Sequence, residues 1–261
     1  MAEHFFVIGA QRCGTTYLHG LLDEHPEIVM ARPALPEPKF FYDDELFERG
    51  LDWYRSHFFG HQQGERLWGE KSVGYLESDL AADRIRAAFP DAPLLVSLRN
   101  PIGRAVSNYW FTAGHGLEDR PIEEALMAED DGMVERDGDW FLVAGRRIAA
   151  NPFIYRRRSR YVEDLRRWAD RFGKDRMHIM VFEDVVGSET AVGDLYRFLG
   201  VDPSFRPSAL NRVVHASSGG RPIPDDLHRR LAEEFEPSNR ALEAEFGVDL
   251  SSWRSAPEPA S

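Results

Sequence analysis

Residues 5–22, FFVIGAQRCGTTYLHGLL, restrict the fold more than any other stretch of the chain. An apolar run, Phe5–Ile8, meets a loop bounded by Gly9 and Gly14, and an amphipathic helical pattern (Tyr17, Leu18, Leu21, Leu22) follows. Strand, glycine loop and helix in that order make a cradle in which backbone N–H groups and the positive helix end converge on one anion. Nucleotide hydrolases write this loop G-x-x-x-x-G-K-[ST], with the lysine reaching the terminal phosphates. Here the loop reads Gly9-Ala10-Gln11-Arg12-Cys13-Gly14-Thr15-Thr16: Thr15 stands in the lysine's place, and the nearest cation, Arg12, lies inside the loop. It reads as a phosphate binder that is poorly equipped for ATP hydrolysis.

The remaining pattern alternates strand and helix, which predicts a mainly parallel central sheet flanked by helices in a three-layer α/β fold of P-loop type. Strands are expected near 4–9, 67–70, 93–98 and 177–182, the last two as short apolar runs suited to buried parallel strands. Helices are expected at about 15–24, 46–58, 78–89, 101–113, 121–129, 152–172, 190–199, 225–235 and 238–246. The polar 203–224 stretch reads as a loop. With 261 residues, a single domain over 1–254 is expected, followed by a disordered tail at 255–261.

A net charge of −12 argues against a nucleic-acid surface. The single cysteine, Cys13, excludes an internal disulfide framework and suits a reducing compartment. A first strand beginning near His4 leaves no room for a leader, and no run approaches the roughly 20 apolar residues of a membrane helix. A cytoplasmic protein without a membrane span is therefore expected. Only three of the 32 basic residues are lysines, Lys39, Lys71 and Lys174, and the first two fall inside the motifs described next.

Residues 93–111, PLLVSLRNPIGRAVSNYWF, form a second strand-to-helix unit. Its strand ends in Arg99, at the carboxyl edge where open α/β sheets take ligands, and Pro101 is placed to open the helix. Two anion sites on neighbouring strand ends suit a nucleotide phosphorylated at both ends. Here the sequence resembles the sulfotransferases that use 3′-phosphoadenosine 5′-phosphosulfate (PAPS). The resemblance implies that Gln11, Arg12, Cys13, Gly14, Thr15 and Thr16 hold the 5′-phosphosulfate. Its R-x-P-x-x-R-x-x-S segment, here Arg99, Pro101, Arg104 and Ser107, would hold the 3′-phosphate through Arg99 and Ser107.

The likeness is to the heparan-sulfate-type (carbohydrate) branch. Glu37-Pro38-Lys39-Phe40-Phe41 resembles that branch's E-x-[HNQ]-F-F element, whose glutamate is the general base. Gly50-Leu51-Asp52-Trp53-Tyr54 resembles its G-x-x-W-Y helix. Glu70-Lys71-Ser72-Val73-Gly74-Tyr75 resembles its E-K-[ST]-x-x-Y stretch, whose lysine touches the transferring group. Ser218-Gly219-Gly220-Arg221 resembles a late K-G-R loop that closes over the cofactor through Gly220 and Arg221. Arg12 and Gly219 stand where relatives carry lysine, and Lys39 where they carry a neutral or histidine side chain.

The resemblance thus implies a catalytic set of Glu37, Lys71 and Arg12, and an acceptor side of Lys39, Phe40, Trp53 and Tyr75. The chemistry is in-line transfer of the PAPS sulfuryl group, helped by cations at the bridging oxygen and a base at the acceptor hydroxyl or amine. It asks for no metal. The acceptor could be a carbohydrate, glycoconjugate, lipid or small metabolite. His57 and His115 are rival bases, because another branch uses histidine. A P-loop nucleotide kinase and a non-catalytic nucleotide-binding module are the rival functions.

Overall fold

The computed structural model describes residues 3–128, 151–211 and 222–254, with the backbone of three short strands between 135 and 148. Its contacts divide the chain into two compact units. One comprises Met1–Arg99, Val162–Val214 and Glu243–Ser261, the other Asn100–Tyr161 and His215–Leu242. The chain runs β1 (Glu3–Gly9), α1 (Thr15–Asp23), β2 (Ile28–Met30), α2 (Asp44–Phe47), α3 (Leu51–Phe59), β3 (Leu67–Lys71), α4 (Asp79–Ala88) and β4 (Leu94–Leu98). There follow α5 (Pro101–Gly114), α6 (Ile122–Met127), β5 (Glu135–Asp137), β6 (Trp140–Val143), β7 (Arg146–Ile148) and α7 (Tyr161–Phe172). The last elements are β8 (Met177–Val181), α8 (Phe182–Val185), α9 (Glu189–Leu199), α10 (Asp225–Phe246) and α11 (Ser251–Arg254).

The first unit carries a five-stranded sheet in the order β2-β3-β1-β4-β8, parallel at every pairing. β1 is central, and Phe5, Phe6, Val7 and Ile8 are fully buried, as an apolar run with both faces covered must be. Successive side chains take opposite faces. Phe5 and Val7 join Leu18, Leu21 and Leu22 of α1 and Val192, Leu195 and Leu199 of α9. Phe6 meets Phe41 edge-on with ring centres 5.4 Å apart, on the side where Tyr54 of α3 packs against Phe41. The three-layer α/β reading thus holds within this unit.

Local chemistry sets where the helices begin and end. The hydroxyls of Ser78 and Ser188 accept N–H bonds from Ala81 and Ala191, capping α4 and α9. α9 then stops at Gly200, whose φ of 70° ends the helix in a left-handed turn.

In the second unit, Asn100 caps α5 by accepting from the Ile102 and Gly103 N–H groups, with Pro101 opening the helix. Ala105, Tyr109, Leu126, Tyr155, Leu227, Leu231 and Phe235 share a core. β5, β6 and β7 form a separate antiparallel sheet. Among the described residues, no helix is long and apolar enough to cross a membrane.

Several expected boundaries need correction. The helix expected at 152–172 begins only at Tyr161, because residues 151–160 form turns and a short 3-10 segment. There Arg158 folds inward to donate to the Asn151 carbonyl at 2.9 Å. The single helix expected at 46–58 is two, parted at Gly50, whose φ is 81°. The two helices expected over 225–246 are one, with Pro237 inside it. β2 and the antiparallel strands were not expected. The expected tail at 255–261 lies outside the described residues.

Candidate active site

The strand order places the glycine loop where the chain reverses its direction of winding, with β2 and β3 on one side of β1 and β4 and β8 on the other. Open α/β sheets bind ligands at that point, beyond the carboxyl ends of the strands. A register shift between Val7 and Gly9 releases the loop from the ladder. Ala10 N–H then donates to the Ser97 carbonyl at 2.9 Å, and the Ser97 hydroxyl donates to the Cys13 carbonyl at 2.6 Å. The loop is therefore fastened to β4 at both ends.

Arg12 and Gly14 are left-handed, with φ of 69° and 73°. The first helical hydrogen bond of α1 runs from Leu18 N–H to the Gly14 carbonyl. The N–H groups of Thr15, Thr16 and Tyr17 therefore precede the helix's own ladder. No acidic side chain sits in that turn, which leaves the positive end of α1 available to an anion. Gln11 and Arg12 are half-buried, Thr15 is buried and Thr16 exposed. The Cys13 thiol is buried and donates to the Gln11 carbonyl.

Gly14 cannot be exchanged cheaply. An added Cβ would lie 2.1 Å from ring carbons of Phe182 and would demand a left-handed L-residue. Gly14→Ala is expected to destabilise the protein by about 2–4 kcal/mol, read as a lowered midpoint in urea unfolding.

Arg99 follows β4 directly, its side chain mostly buried and its Nε 4.0 Å from Glu183 Oε1. Ser107, expected to act with it, belongs to the second unit, where it is buried on α5. Arg104 of the same motif is fully buried and donates to the Tyr155 carbonyl at 3.0 Å. Gly219, Gly220 and Arg221 lie outside the described residues.

β3 brings the next chemistry beside the loop. It pairs with β1 so that Lys71 lies opposite Val7, just before Gly9. Lys71 Nζ donates to Glu37 Oε1 at 2.5 Å, and Val73 N–H donates to Glu37 Oε2 at 3.0 Å. The lysine side chain is 4% exposed and the glutamate 13%. A carboxylate and an ammonium, read separately from two motifs, thus meet at the strand end next to the glycine loop.

The neighbouring Glu70 is fully buried among hydroxyls. It accepts from Ser72 Oγ at 2.7 Å, Tyr75 Oη at 2.5 Å and Tyr54 Oη at 2.8 Å. Burial pushes its carboxyl up to about 7, against the downward pull of the Tyr75, Ser72 and Tyr54 donors. Burial likewise pushes the Tyr54 and Tyr75 phenols well above their ordinary range.

A family model described as a sulfotransferase domain matches residues 2–219. The chain belongs to the sulfotransferase family. It is 30% identical over 271 residues to human heparan sulfate glucosamine 3-O-sulfotransferase 6, a match covering 94% of this chain and 72% of that protein. Over 115 residues it is 31% identical to human bifunctional heparan sulfate N-deacetylase/N-sulfotransferase 2, covering 43% of this chain and 13% of that one. The crystal structure of a sulfotransferase from Alicyclobacillus acidocaldarius superposes with a TM-score of 0.78 at 29% identity, over 98% of this chain and all of that one. The protein is a sulfotransferase enzyme, and the kinase and the non-catalytic module are set aside.

In this sulfotransferase the residues expected on the acceptor side are placed unevenly. Phe40 and Tyr75 are fully buried. Phe40 packs on Tyr54 with ring centres 4.7 Å apart, and the Tyr75 hydroxyl is occupied with Glu70. Trp53 is half-buried, with His57 stacked on it at 4.3 Å and Arg49 at 4.8 Å from its ring centre. Lys39 is half-buried with φ of 57°, and its ammonium makes no ion pair among the described residues. His115 is exposed and hydrogen-bonds the Phe111 carbonyl through Nδ1.

Sequence reasoning gave no role to Glu70. The signal was present in the spacing of Glu70, Ser72 and Tyr75, which places two hydroxyls just beyond a strand-end carboxylate.

Proposed function

We propose that this sulfotransferase transfers the sulfuryl group of PAPS to a carbohydrate hydroxyl, with Glu37 as general base. The observation that carries the reading is the Lys71–Glu37 contact of 2.5 Å at the strand end beside the glycine loop. Gln11 to Thr16 bind the 5′-phosphosulfate through backbone N–H groups, hydroxyls and the Arg12 guanidinium. Arg99 binds the 3′-phosphate. The acceptor oxygen attacks sulfur as the bond from sulfur to the bridging phosphate oxygen breaks. Glu37 takes the acceptor's proton, and adenosine 3′,5′-bisphosphate leaves.

Negative charge grows on the bridging oxygen in that step, and cations placed there lower the barrier. Lys71 and Arg12 fill this role. Before the donor binds, Lys71 neutralises Glu37. A bound phosphosulfate competes for the ammonium and frees the carboxylate for the acceptor. A hydroxyl is preferred to an amine because a 3-O-sulfotransferase aligns over 94% of this chain, whereas the N-sulfotransferase matches span 42–76% of it.

Titration calorimetry tests the donor. Adenosine 3′,5′-bisphosphate is expected to bind without magnesium, and preference for magnesium-ATP would remove the proposal. Incubation with labelled PAPS and heparan sulfate oligosaccharides, followed by mass spectrometry, tests the acceptor. Arg99→Ala is expected to weaken adenosine 3′,5′-bisphosphate about 10–100-fold, a charge-assisted contact's worth, while AMP binding changes little. Equal losses for both nucleotides would take Arg99 off the 3′-phosphate.

A further inference from the structure

We propose that Glu70 is a positioning residue whose buried carboxylate orients three hydroxyls and thereby holds the Glu37 loop against Lys71. The proposal rests on the reading of Glu37 as the base. Its ground is a two-tier relay. Ser72 and Tyr75 give their hydroxyl hydrogens to Glu70 Oε1, which turns their lone pairs outward. Ser72 Oγ then accepts the Lys39 N–H at 2.9 Å, and Tyr75 Oη accepts the Phe41 N–H at 3.0 Å. The backbone just after Glu37 is tied at two points to the residues that follow β3.

Adjacent residues of one strand thus grip the same loop in different ways. Lys71 holds the Glu37 side chain, and Glu70 holds the main chain through hydroxyls. Lys39 lies between the two grips in a left-handed turn, with Tyr42 and Asp43 N–H both donating to its carbonyl. Because β3 is paired with β1 through Phe6–Glu70 and Val7–Lys71, the base loop takes its register from the strand that ends in the anion loop. Positioning of this kind matters because small displacements of a reacting group are costly in rate.

A purely structural role fits the energetics poorly. Glu70 has hydroxyl partners and no cation among the described residues, and a buried carboxylate in that setting opposes folding when charged. Its folded carboxyl keeps its proton to about pH 7. Its contribution to stability is therefore fully present below the unfolded value near 4.5 and is lost as pH rises through about 7. In the charged form all three hydroxyls must donate to it, and its hydrogen bonds are charge-assisted. Protonation removes that charge assistance from the Ser72 and Tyr75 bonds and loosens the clamp. The groups facing Glu70 are Tyr54 from α3, Ser72 and Tyr75 beyond β3, and Glu37 on the loop. His4 of β1 and Arg55 lie against Tyr54.

Glu70→Gln fixes the neutral form, so it is expected to run at the low-pH rate throughout. Turnover of heparan sulfate oligosaccharides at pH 8 should fall about 10-fold or more. The rise in turnover near pH 7 should disappear, and adenosine 3′,5′-bisphosphate affinity should stay within about twofold. Thermal stability at pH 8 should not fall, since a costly charge has been removed. Ser72→Ala should lose turnover and Ser72→Thr, which keeps the hydroxyl, should regain it.

Amide hydrogen exchange gives a readout independent of any acceptor. The Lys39 and Phe41 N–H groups are expected to exchange at least about 10-fold faster in Glu70→Gln than in the wild type. Wild-type exchange with an unchanged pH profile overturns the positioning role, as does a loss of stability that matches the loss of turnover. Wild-type turnover in Glu37→Gln removes the base reading instead, so the two failures are distinguishable.

Discussion

Glu37→Gln is expected to reduce sulfation at least ~100-fold, the contribution typical of a positioned general base, with adenosine 3′,5′-bisphosphate bound within about twofold of wild type. Glutamine matches glutamate in shape and cannot take a proton from the acceptor. It also breaks the bond pattern, because Lys71 Nζ and Val73 N–H both donate to Glu37, and an amide has only one oxygen to offer them. Lys71, 4% exposed, then lacks a carboxylate. A stability loss of about 1–3 kcal/mol is expected from the stranded cation. The kinetic effect should fall on kcat with the donor KM little changed, because the base acts on the acceptor's proton. Retained turnover would transfer the role to another group. His57 and His115 are poorly placed for it, one stacked on Trp53 and the other bonded to its own helix carbonyl.

The parts of the fold legible in the sequence are those where one local rule dominates. Phe5–Ile8 is uninterrupted apolar chain ending in glycine, and it is a central strand. Met177–Val181, a short run apolar apart from His178, forms β8. β2 escapes because three residues are too few to display a period, and its strand character comes from pairing with β3. Residues 135–148 carry charges at positions where alternation would have to show. The overlong helix at 152–172 arose because aromatic spacing extends past the true start. What delays the start of the helix to Tyr161 is tertiary, including the inward turn of Arg158 and the burial of Tyr155.

At the site, residue types were legible and their partners were not. Glu37 and Lys71 came from separate motifs, and they touch where the loop that follows β2, the strand paired with β3, meets the end of β3. Phe40 and Tyr75 looked like surfaces for an acceptor, but an aromatic side chain suits a core as well as a cleft, and both are spent on the interior. Glu70 shows the same limit. Its third partner, Tyr54, is sixteen residues away on α3, so the need for a buried acceptor becomes visible only once the strand and the helix are packed.

Lys71→Met separates the two duties proposed for the lysine. Methionine keeps the volume and removes the charge from the developing negative oxygen, and such a loss is expected to cost about 10²–10³ in kcat. It also leaves Glu37, 13% exposed, with only the Val73 N–H. A stability loss of roughly 1–3 kcal/mol follows from an unpaired, largely buried carboxylate. Lys71→Arg should restore stability more than rate, because a planar fork can pair with Glu37 but cannot place a compact charge at one oxygen.

The double variant Glu37→Gln/Lys71→Met is the sharper measurement. If base and cation act as a unit, its turnover should lie within about 10-fold of the worse single variant rather than at the product of the two losses. Its stability should exceed that of Lys71→Met, since no unpaired charge is left in the interior. Multiplicative losses in turnover, together with additive losses in stability, would mean that the contact between Lys71 and Glu37 is incidental to sulfuryl transfer. Glu37 and Lys71 would then act on the reaction independently, the carboxylate on the acceptor's proton and the ammonium on the departing oxygen.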